Sequence, residues 1–533
     1  MGLKVQGRGK RQAARAVSRA SRRPTAPVPL EALRTGFEAR RPDGWGNNRV
    51  HGEWGAAGTP LLRQTSLGYG DGAASPGGEA RPGARALSNA LAAQEAPVPN
   101  PRGASDLLWA WGQFLDHDLG RTLGSKPQEL LPIRVPAGDP HFDPSGRGDV
   151  TLFFNRSEFR TDASGVRQQV NSLTAFIDAS MVYGSDEESA RTLRCLDGTG
   201  RLRSSAGELL PFDPRMPGAP FFIAGDGRVN ENVALTSLQT VFMREHNRLA
   251  VELGERDPSL GEDERYELAR ALVAAQIQHI TYAEFLPRLL GPEALAPYTG
   301  YREDVNPGLE NFFSAAAYRF GHSMVSPQLL RLGPSGESIP EGPLELVQAF
   351  NNPGALVNEG GIDPVLRGAA RQRAQAIDPL LVTPLRNLLF GGSGGAGMDL
   401  AALNIQRGRD HGLPSYNQAR IDHGLGRVES FAALTPDEAL RERLAASYGT
   451  VDEVDAWVGG LAEQALDGAQ VGPLLRAALA AQFERTRDGD RFWFQHQLAP
   501  EAVAWVQAQD LASVIRRNTE IGAELQDSVF DAP

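Results

Sequence analysis

Residues 109–118 read Trp-Ala-Trp-Gly-Gln-Phe-Leu-Asp-His-Asp, and no other run restricts the fold as much. Leu108, Trp111 and Leu115 recur at helical spacing, so the segment predicts a helix with an apolar stripe. With about 100° between successive residues, Gln113 and His117 stand i,i+4 on one face. Asp116 lies on the flank of that face. Asp118, one residue past the histidine, is turned away from Asp116. A fold that buries this stripe must also receive an imidazole, an amide and carboxylates on separate sides. Taken alone, an Asp-His-Asp run is more often a helix end with a satisfied histidine and two solvated acids, so its reading depends on the rest of the chain.

The chain has 533 residues, 41% of them hydrophobic, enough for a large core. It contains no run of 18 apolar residues, so no transmembrane helix is expected. The net charge is −11, although residues 1–23 carry Lys4, Arg8, Lys10, Arg11, Arg15, Arg19, Arg22 and Arg23 with no acid. The body is therefore more acidic than the total, which argues against nucleic acid as a partner. The basic head lacks the apolar centre of a secretory signal and reads as a disordered tail. Cys195 is the only cysteine, so an intrachain disulfide and a thiolate metal cluster are both excluded. Metal chemistry here must use histidine, carboxylates and backbone oxygens.

Residues 24–104 are rich in Gly, Pro, Arg and Ala, with turn signals at Asp71-Gly72 and Ser75-Pro76-Gly77-Gly78. They read as an extended arm wrapped on the surface. From 105 to 520 the periodicity is helical, in segments near 105–120, 172–195, 231–254, 264–290, 309–331, 343–351, 399–424, 435–446, 452–467, 471–485 and 507–517. Residues 521–533 read as a C-terminal tail. The expectation is a mainly α protein with one large catalytic domain and an irregular N-terminal arm.

Three further stretches carry chemistry. Thr174, Phe176, Asp178 and Ser180 alternate as in a tight loop around a hard cation, with hydroxyl, carbonyl and carboxylate oxygens of the kind calcium takes. Asp118, facing away from the other polar groups of its helix, completes such a set; by itself the loop also reads as a helix cap. Arg228 and Glu231 are i,i+3, so they address one ligand or form a surface ion pair; an arginine in that place stays charged and polarises a bound oxygen. In Arg319-Phe-Gly-His322 a glycine beside the histidine leaves room for a large flat group, and a neutral imidazole there is a good axial ligand for haem iron. Downstream, the amide oxygen of Asn404 is placed to accept the other ring N–H of such a histidine and fix its tautomer.

Together these stretches resemble the animal-type haem peroxidases of the peroxidase–cyclooxygenase superfamily, and most of all its bacterial peroxinectin-like members, over roughly residues 45–520. The motifs are Trp-Gly-Gln-Phe-Leu-Asp-His-Asp at 111–118, Leu-Thr-Ala-Phe-Ile-Asp-Ala-Ser-Met-Val-Tyr-Gly at 173–184, Arg-Glu-His-Asn-Arg-Leu at 244–249, Arg-Phe-Gly-His at 319–322, Leu-Asn-Ile-Gln-Arg-Gly-Arg-Asp-His-Gly at 403–412 and Gly-Asp-Arg-Phe-Trp at 489–493. The resemblance implies haem b as cofactor. It makes His117 the distal histidine, Gln113 its halide-binding neighbour, Arg228 the distal arginine, and Asp116 and Glu231 the carboxylates esterified to haem. It makes His322 the iron ligand, Asn404 its partner, Arg407 a haem-propionate arginine and Arg319 a proximal support. It assigns calcium to Asp118, Thr174, Phe176, Asp178 and Ser180.

The implied reaction uses hydrogen peroxide to oxidise small anionic or aromatic donors, with a secreted location by resemblance. Two departures refine it. Mammalian members carry a methionine after the ester glutamate, linked to haem as a sulfonium; this chain has Asn232, so bromide, iodide and thiocyanate are expected ahead of chloride. The family's fatty-acid dioxygenases carry a radical tyrosine three residues before the proximal histidine, where this chain has Arg319. A third reading, adhesion through the integrin-type tripeptide Arg147-Gly148-Asp149 in a loop, is the remaining alternative.

Overall fold

The stripe Leu108, Trp111 and Leu115 is driven inward on a helix buried along nearly its whole length, and other helices close around it. The computed structural model describes residues 26–218, 220–389 and 397–533; the basic head expected at 1–23 lies outside them. The elements that position the rest are α1 (Ala84–Leu91), α2 (Asp106–Leu119), α3 (Val233–Arg256), α4 (Glu262–Ile280), α5 (Leu400–Asp410), α6 (Pro473–Asp488) and α7 (Leu511–Asn518). The sheets are small. The largest has three antiparallel strands, β1 (Thr59–Pro60), β2 (Phe159–Thr161) and β3 (Arg167–Asn171), with β3 in the middle and Thr59 opposite Asn171.

At the centre Trp111 of α2 meets Phe114 at 5.3 Å and Phe242 of α3 at 5.7 Å between ring centroids. Truncating such a side chain to alanine costs about 3–5 kcal/mol. Helix α3 starts at Asn232, whose side-chain oxygen accepts the Leu235 N–H. Helix α4 opens with Glu262, Asp263 and Glu264, which suit the positive end of the helix dipole. The two helices and α7 are joined by a buried cluster around Glu245, which accepts from Arg248, Gln276, Arg517 and Asn518. The arginines hold its carboxyl well below the usual range. The Arg-Glu-His-Asn-Arg motif is thus a structural staple. His246 spends one ring nitrogen on the Tyr183 hydroxyl and the other on the Gly200 carbonyl.

Four departures from the sequence reading bear on how the helices meet. The arm holds the helix α1, because Arg85, an unlikely core residue by type, is buried and paired with Asp139 and Asp399. Residues 172–179 form a loop and only Ser180–Tyr183 and Glu187–Leu193 are helical. The expected helix at 309–331 breaks at Ala316 into Asn311–Ala315 and a 3₁₀ stretch, Ala317–Met324. Residues 521–533, expected as a tail, pack inward: Phe530 lies against Trp111 and Phe285, and the Phe530 and Val529 carbonyls accept from the Ser105 N–H and hydroxyl. Ser105 precedes α2 and caps it with no side-chain bond, since its hydroxyl serves the C-terminus.

Asp106, in the first turn of α2, is fully buried, accepts one hydrogen bond from Ser326 and is pushed up to about 7 by desolvation. Its folded pKa lies above the unfolded value, so the folded state holds the proton more tightly and stability falls as pH rises from about 4 through about 7. Asp106→Asn is expected to match the wild-type thermal midpoint below about pH 4 and to exceed it by a growing margin up to about pH 8. A difference that does not grow between those pH values counts against a buried, protonated carboxyl.

Candidate active site

Helix α2 presents Gln113, Asp116 and His117 toward a turn, Gly225–Asn232, that precedes α3. Asp226, whose role the sequence reading missed, organises that turn. Its carboxylate accepts from Arg228 Nε at 2.8 Å, from Nη2 at 3.1 Å and from the Arg228 backbone N–H. Two further Arg228 N–H groups reach Asp116 Oδ2 at 3.1 Å and the Gly120 carbonyl. Asp226, buried but gripping a guanidinium, is lowered to about 2, and Arg228 remains charged. The Asp-Gly-Arg spacing at 226–228 was the available signal: an acid two residues before an arginine folds back onto it.

His117 is 2% exposed, and burial with the nearby Arg228 charge holds it well below the usual histidine range, so the ring is neutral. Its Nδ1 has no hydrogen-bond partner among the described residues and lies 3.7 Å from Asp226 Oδ1; its Nε2 lies 3.7 Å from Glu231 Oε2. The ionised Asp226 favours the tautomer with the proton on Nδ1, leaving the Nε2 lone pair for chemistry. Gln113 donates from Nε2 to Glu231 Oε2 at 2.8 Å and accepts at Oε1 from Asn232 at 2.7 Å. Burial and the neighbouring acids push Glu231 up to about 7, against the pull of Arg228, and burial raises Asp116.

On the other side stands the 3₁₀ stretch, packed against α2. In a 3₁₀ turn residues i and i+3 eclipse, so Arg319 stacks over His322. Arg319 Nη1 donates to Asn404 Oδ1 at 3.1 Å, and Asn404 Nδ2 lies 2.9 Å from His322 Nδ1. This reverses the expected role of Asn404. A guanidinium only donates, so the amide oxygen must face Arg319 and the amide NH₂ must face the histidine. Turned this way, the amide fits a His322 with its proton on Nε2; a histidine that ligates iron through Nε2 needs its proton on Nδ1 and an acceptor there. Burial and Arg319 lower His322 to about 3, so it too is neutral.

The two sides share one space. The field of Arg319 reaches Asp116, Arg228 and Arg407. Asp116 and Glu231, set among buried elements, still expose 43% and 28% of their side chains. A Cβ on Gly321 would meet nothing within 4 Å, which is the clearance a flat macrocycle beside His322 needs. His322 Nε2 has no partner among the described residues. These residues fit a haem. Arg407 spends Nη1 on Asp410, Ser157 and the Asn155 carbonyl, and lies 4.1 Å over the Phe154 ring. Its other nitrogens have no protein acceptor among the described residues and are available to a propionate.

Behind α2, Asp118 meets Thr174, Asp178 and Ser180 of the expected oxygen set. Asp118 accepts from the Ser180 hydroxyl at 2.8 Å and from the Ala179 N–H; Asp178 accepts from Thr174 at 3.0 Å and from the Ser180 N–H. Both carboxylates are buried and raised, Asp118 by desolvation and by Asp178 beside it. Arg40, between the rings of Phe176 and Phe492, stands 3.9 Å from Asp178 and bonds Asp490. Two facing buried acids with only hydroxyl and backbone donors fit a hard cation. The tripeptide 147–149 is exposed, but Arg147 pairs with Asp149 at 3.1 Å.

The animal haem peroxidase family model matches residues 39–530. The mouse protein named peroxidasin homolog is 35% identical over 92% of this chain, and the chain spans 37% of its length. The solved structure of peroxidase A from Dictyostelium discoideum covers 93% of this chain and 100% of its own, with 33% identity and a TM-score of 0.85. A fatty acid alpha-dioxygenase from Oryza sativa aligns with a TM-score of 0.79 over 93% of this chain and 87% of its own, and at 21% identity that likeness shows the fold alone.

A cation held by Asp118 and Asp178 would link its binding to folding. Calcium at a hundredfold excess over its Kd is expected to stabilise the wild-type protein by about 2.7 kcal/mol, read as a raised thermal midpoint that a chelator reverses. Asp118→Asn should respond to neither, and a wild-type midpoint indifferent to calcium sinks the assignment.

Proposed function

The chain belongs to the animal haem peroxidase family, and we propose that it reduces hydrogen peroxide at a haem bound between His117 and His322, oxidising bromide, iodide, thiocyanate or small aromatic donors. The observation that carries this reading is the pair of neutral buried imidazoles on opposite elements, one beside a clamped arginine and one beside an arginine-oriented amide. Haem, when bound, supplies the iron at which the peroxide O–O bond is cleaved and the oxidising equivalents are held for the donor.

The protein's own groups move the proton and the charge. His117 Nε2 takes the proton from the peroxide oxygen nearer the iron and returns it to the departing one as water leaves; Asp226 stabilises the imidazolium between the two transfers. Arg228, fixed by Asp226, Asp116 and Gly120, meets the negative charge that grows as the bond breaks, with no reorganisation needed at that moment. For a halide the sum is peroxide, halide and one proton giving hypohalous acid and water. Asp116 and Glu231, the partly exposed carboxyls of the cavity, offer the ester attachments, and Arg407 offers a charge for a propionate.

His322, ligating through Nε2 with its proton on Nδ1, would have a neutral amide and no carboxylate as its partner, which leaves the imidazole little anionic character and keeps the oxidising power high. Asn232 stands where a sulfonium would raise that power further. The missing sulfonium points to thiocyanate, iodide and bromide ahead of chloride. A lipid dioxygenase is disfavoured because Arg319 occupies the position where a tyrosyl radical would form. Calcium at the Asp118–Asp178 site belongs to the same reading. So does a place outside the cytoplasm, where calcium is abundant enough for a site with two carboxylates.

His117→Ala is expected to retain haem yet slow peroxide consumption by about 10²–10⁴-fold in stopped-flow absorbance; an unchanged rate removes His117 from the chemistry. Adding chloride, bromide, iodide, thiocyanate and tyrosine in turn after peroxide ranks the donors. Asp116→Val combined with Glu231→Gln should make haem fully extractable by acidic organic solvent. Full extraction from the wild type would show that no ester forms.

A further inference from the structure

Gln113 stands at the mouth of a chain of hydrogen bonds whose direction is set at its far end. The Leu235 backbone N–H can only donate, and it donates to Asn232 Oδ1 at 2.9 Å. That commits the amide oxygen of Asn232, so its NH₂ must point the other way, and it reaches Gln113 Oε1 at 2.7 Å. Gln113 is then left with its own NH₂ directed at the cavity, where one N–H meets Glu231 Oε2 at 2.8 Å. The second N–H has no acceptor among the described residues. Asn232 is 3% exposed and touches neither His117 nor Arg228 through any hydrogen bond.

We propose that Asn232 is a positioning residue for the anionic donor: by holding Gln113 with its NH₂ toward the cavity, it makes the pocket offer an N–H donor to a halide or thiocyanate. The inference rests on the anion-oxidising reading above. A side chain that left Gln113 Oε1 unpinned would let the amide rotate and present its carbonyl, which repels an anion. The residue that replaces the sulfonium methionine thus has a second consequence, the polarity of the donor site.

Asn232→Asp inverts the relay with almost no change of shape. Aspartate caps α3 as well as asparagine does, so the Leu235 bond is kept. Its other oxygen must then draw the Gln113 NH₂ away from the cavity. Thiocyanate binding to the resting haem protein, followed by the absorbance shift without peroxide, should weaken by about tenfold or more, the scale of one charge-assisted hydrogen bond. The new negative charge could do the same through space, so the substitution is repeated in Gln113→Leu. There it should change the Kd by less than about twofold, because the groups act as a unit. Equal weakening in both backgrounds, or none in the first, overturns the proposal. If the aspartate variant does not fold, Asn232→Ser keeps the cap, removes the amide donor without adding charge and should weaken binding in the same direction.

Anomalous scattering from bromide in crystals reads the same contact without turnover. Bromide is expected within hydrogen-bond distance of Gln113 Nε2 in the wild type and to be lost from it in Asn232→Asp. Bromide retained there in the variant, or seated elsewhere in the wild type, also overturns the proposal. A wild-type protein that holds bromide at Gln113 but fails to consume peroxide defeats the peroxidase reading and leaves this inference standing.

Discussion

Helix α2 is buried along nearly its whole length and yet carries polar groups on several sides, and the surrounding chain is arranged to satisfy them. An unpaired buried carboxylate or imidazole is costly, so each polar face requires an element built against it. The turn Asp226–Asn232 answers Gln113, Asp116 and His117. The loop 174–180 answers Asp118. The 3₁₀ stretch and the C-terminal residues close the remaining sides, with Phe530 on Trp111 and its backbone on Ser105. The helix is the wall that the space around His117 and the loop around Asp178 have in common.

The chemistry of the cavity depends on donors that cannot accept. Arg319 fixes the rotation of Asn404, and the Leu235 N–H fixes that of Asn232 and through it Gln113. Each relay converts an ambiguous amide into a group of defined polarity, one facing His322 and one facing Glu231. Arg228 is treated differently. Its donors are shared among Asp226, Asp116 and a carbonyl, which keeps a full positive charge beside a neutral His117 in a buried setting. That combination, a base without charge next to a charge that is no acid, suits moving one proton while stabilising one anion.

The N-terminal arm is part of this arrangement. Arg40 lies between two aromatic rings and beside Asp178, and Asp490 of the Gly-Asp-Arg-Phe-Trp motif holds both Arg40 and Asn47. Gly55, at φ +75°, passes so close to Phe176 that a Cβ would come within 2.6 Å of its ring, which is why the arm needs glycine there. Loop 174–180 is therefore packed from outside by the arm and from inside by α2.

Much of the site was legible in the sequence because helical spacing and short motifs are local. The faces of Gln113, His117 and Asp118, the oxygen alternation of 174–180 and the glycine beside His322 follow from periodicity alone. Two of the wrong expectations share one physical cause. The helix in the arm and the inward course of 521–533 depend on partners far away in the chain, such as Asp139 and Asp399 for Arg85 or Trp111 for Phe530. The role of Asp226 and the reversed amide of Asn404 are likewise invisible locally, because a hydrogen bond's direction depends on what stands on both sides of the group. The sequence by itself determined which residues could face one cavity and which chemistry they could perform. Only the tertiary structure decided how each amide is turned and which acid holds which arginine, since those choices are made by contacts between residues far apart in sequence.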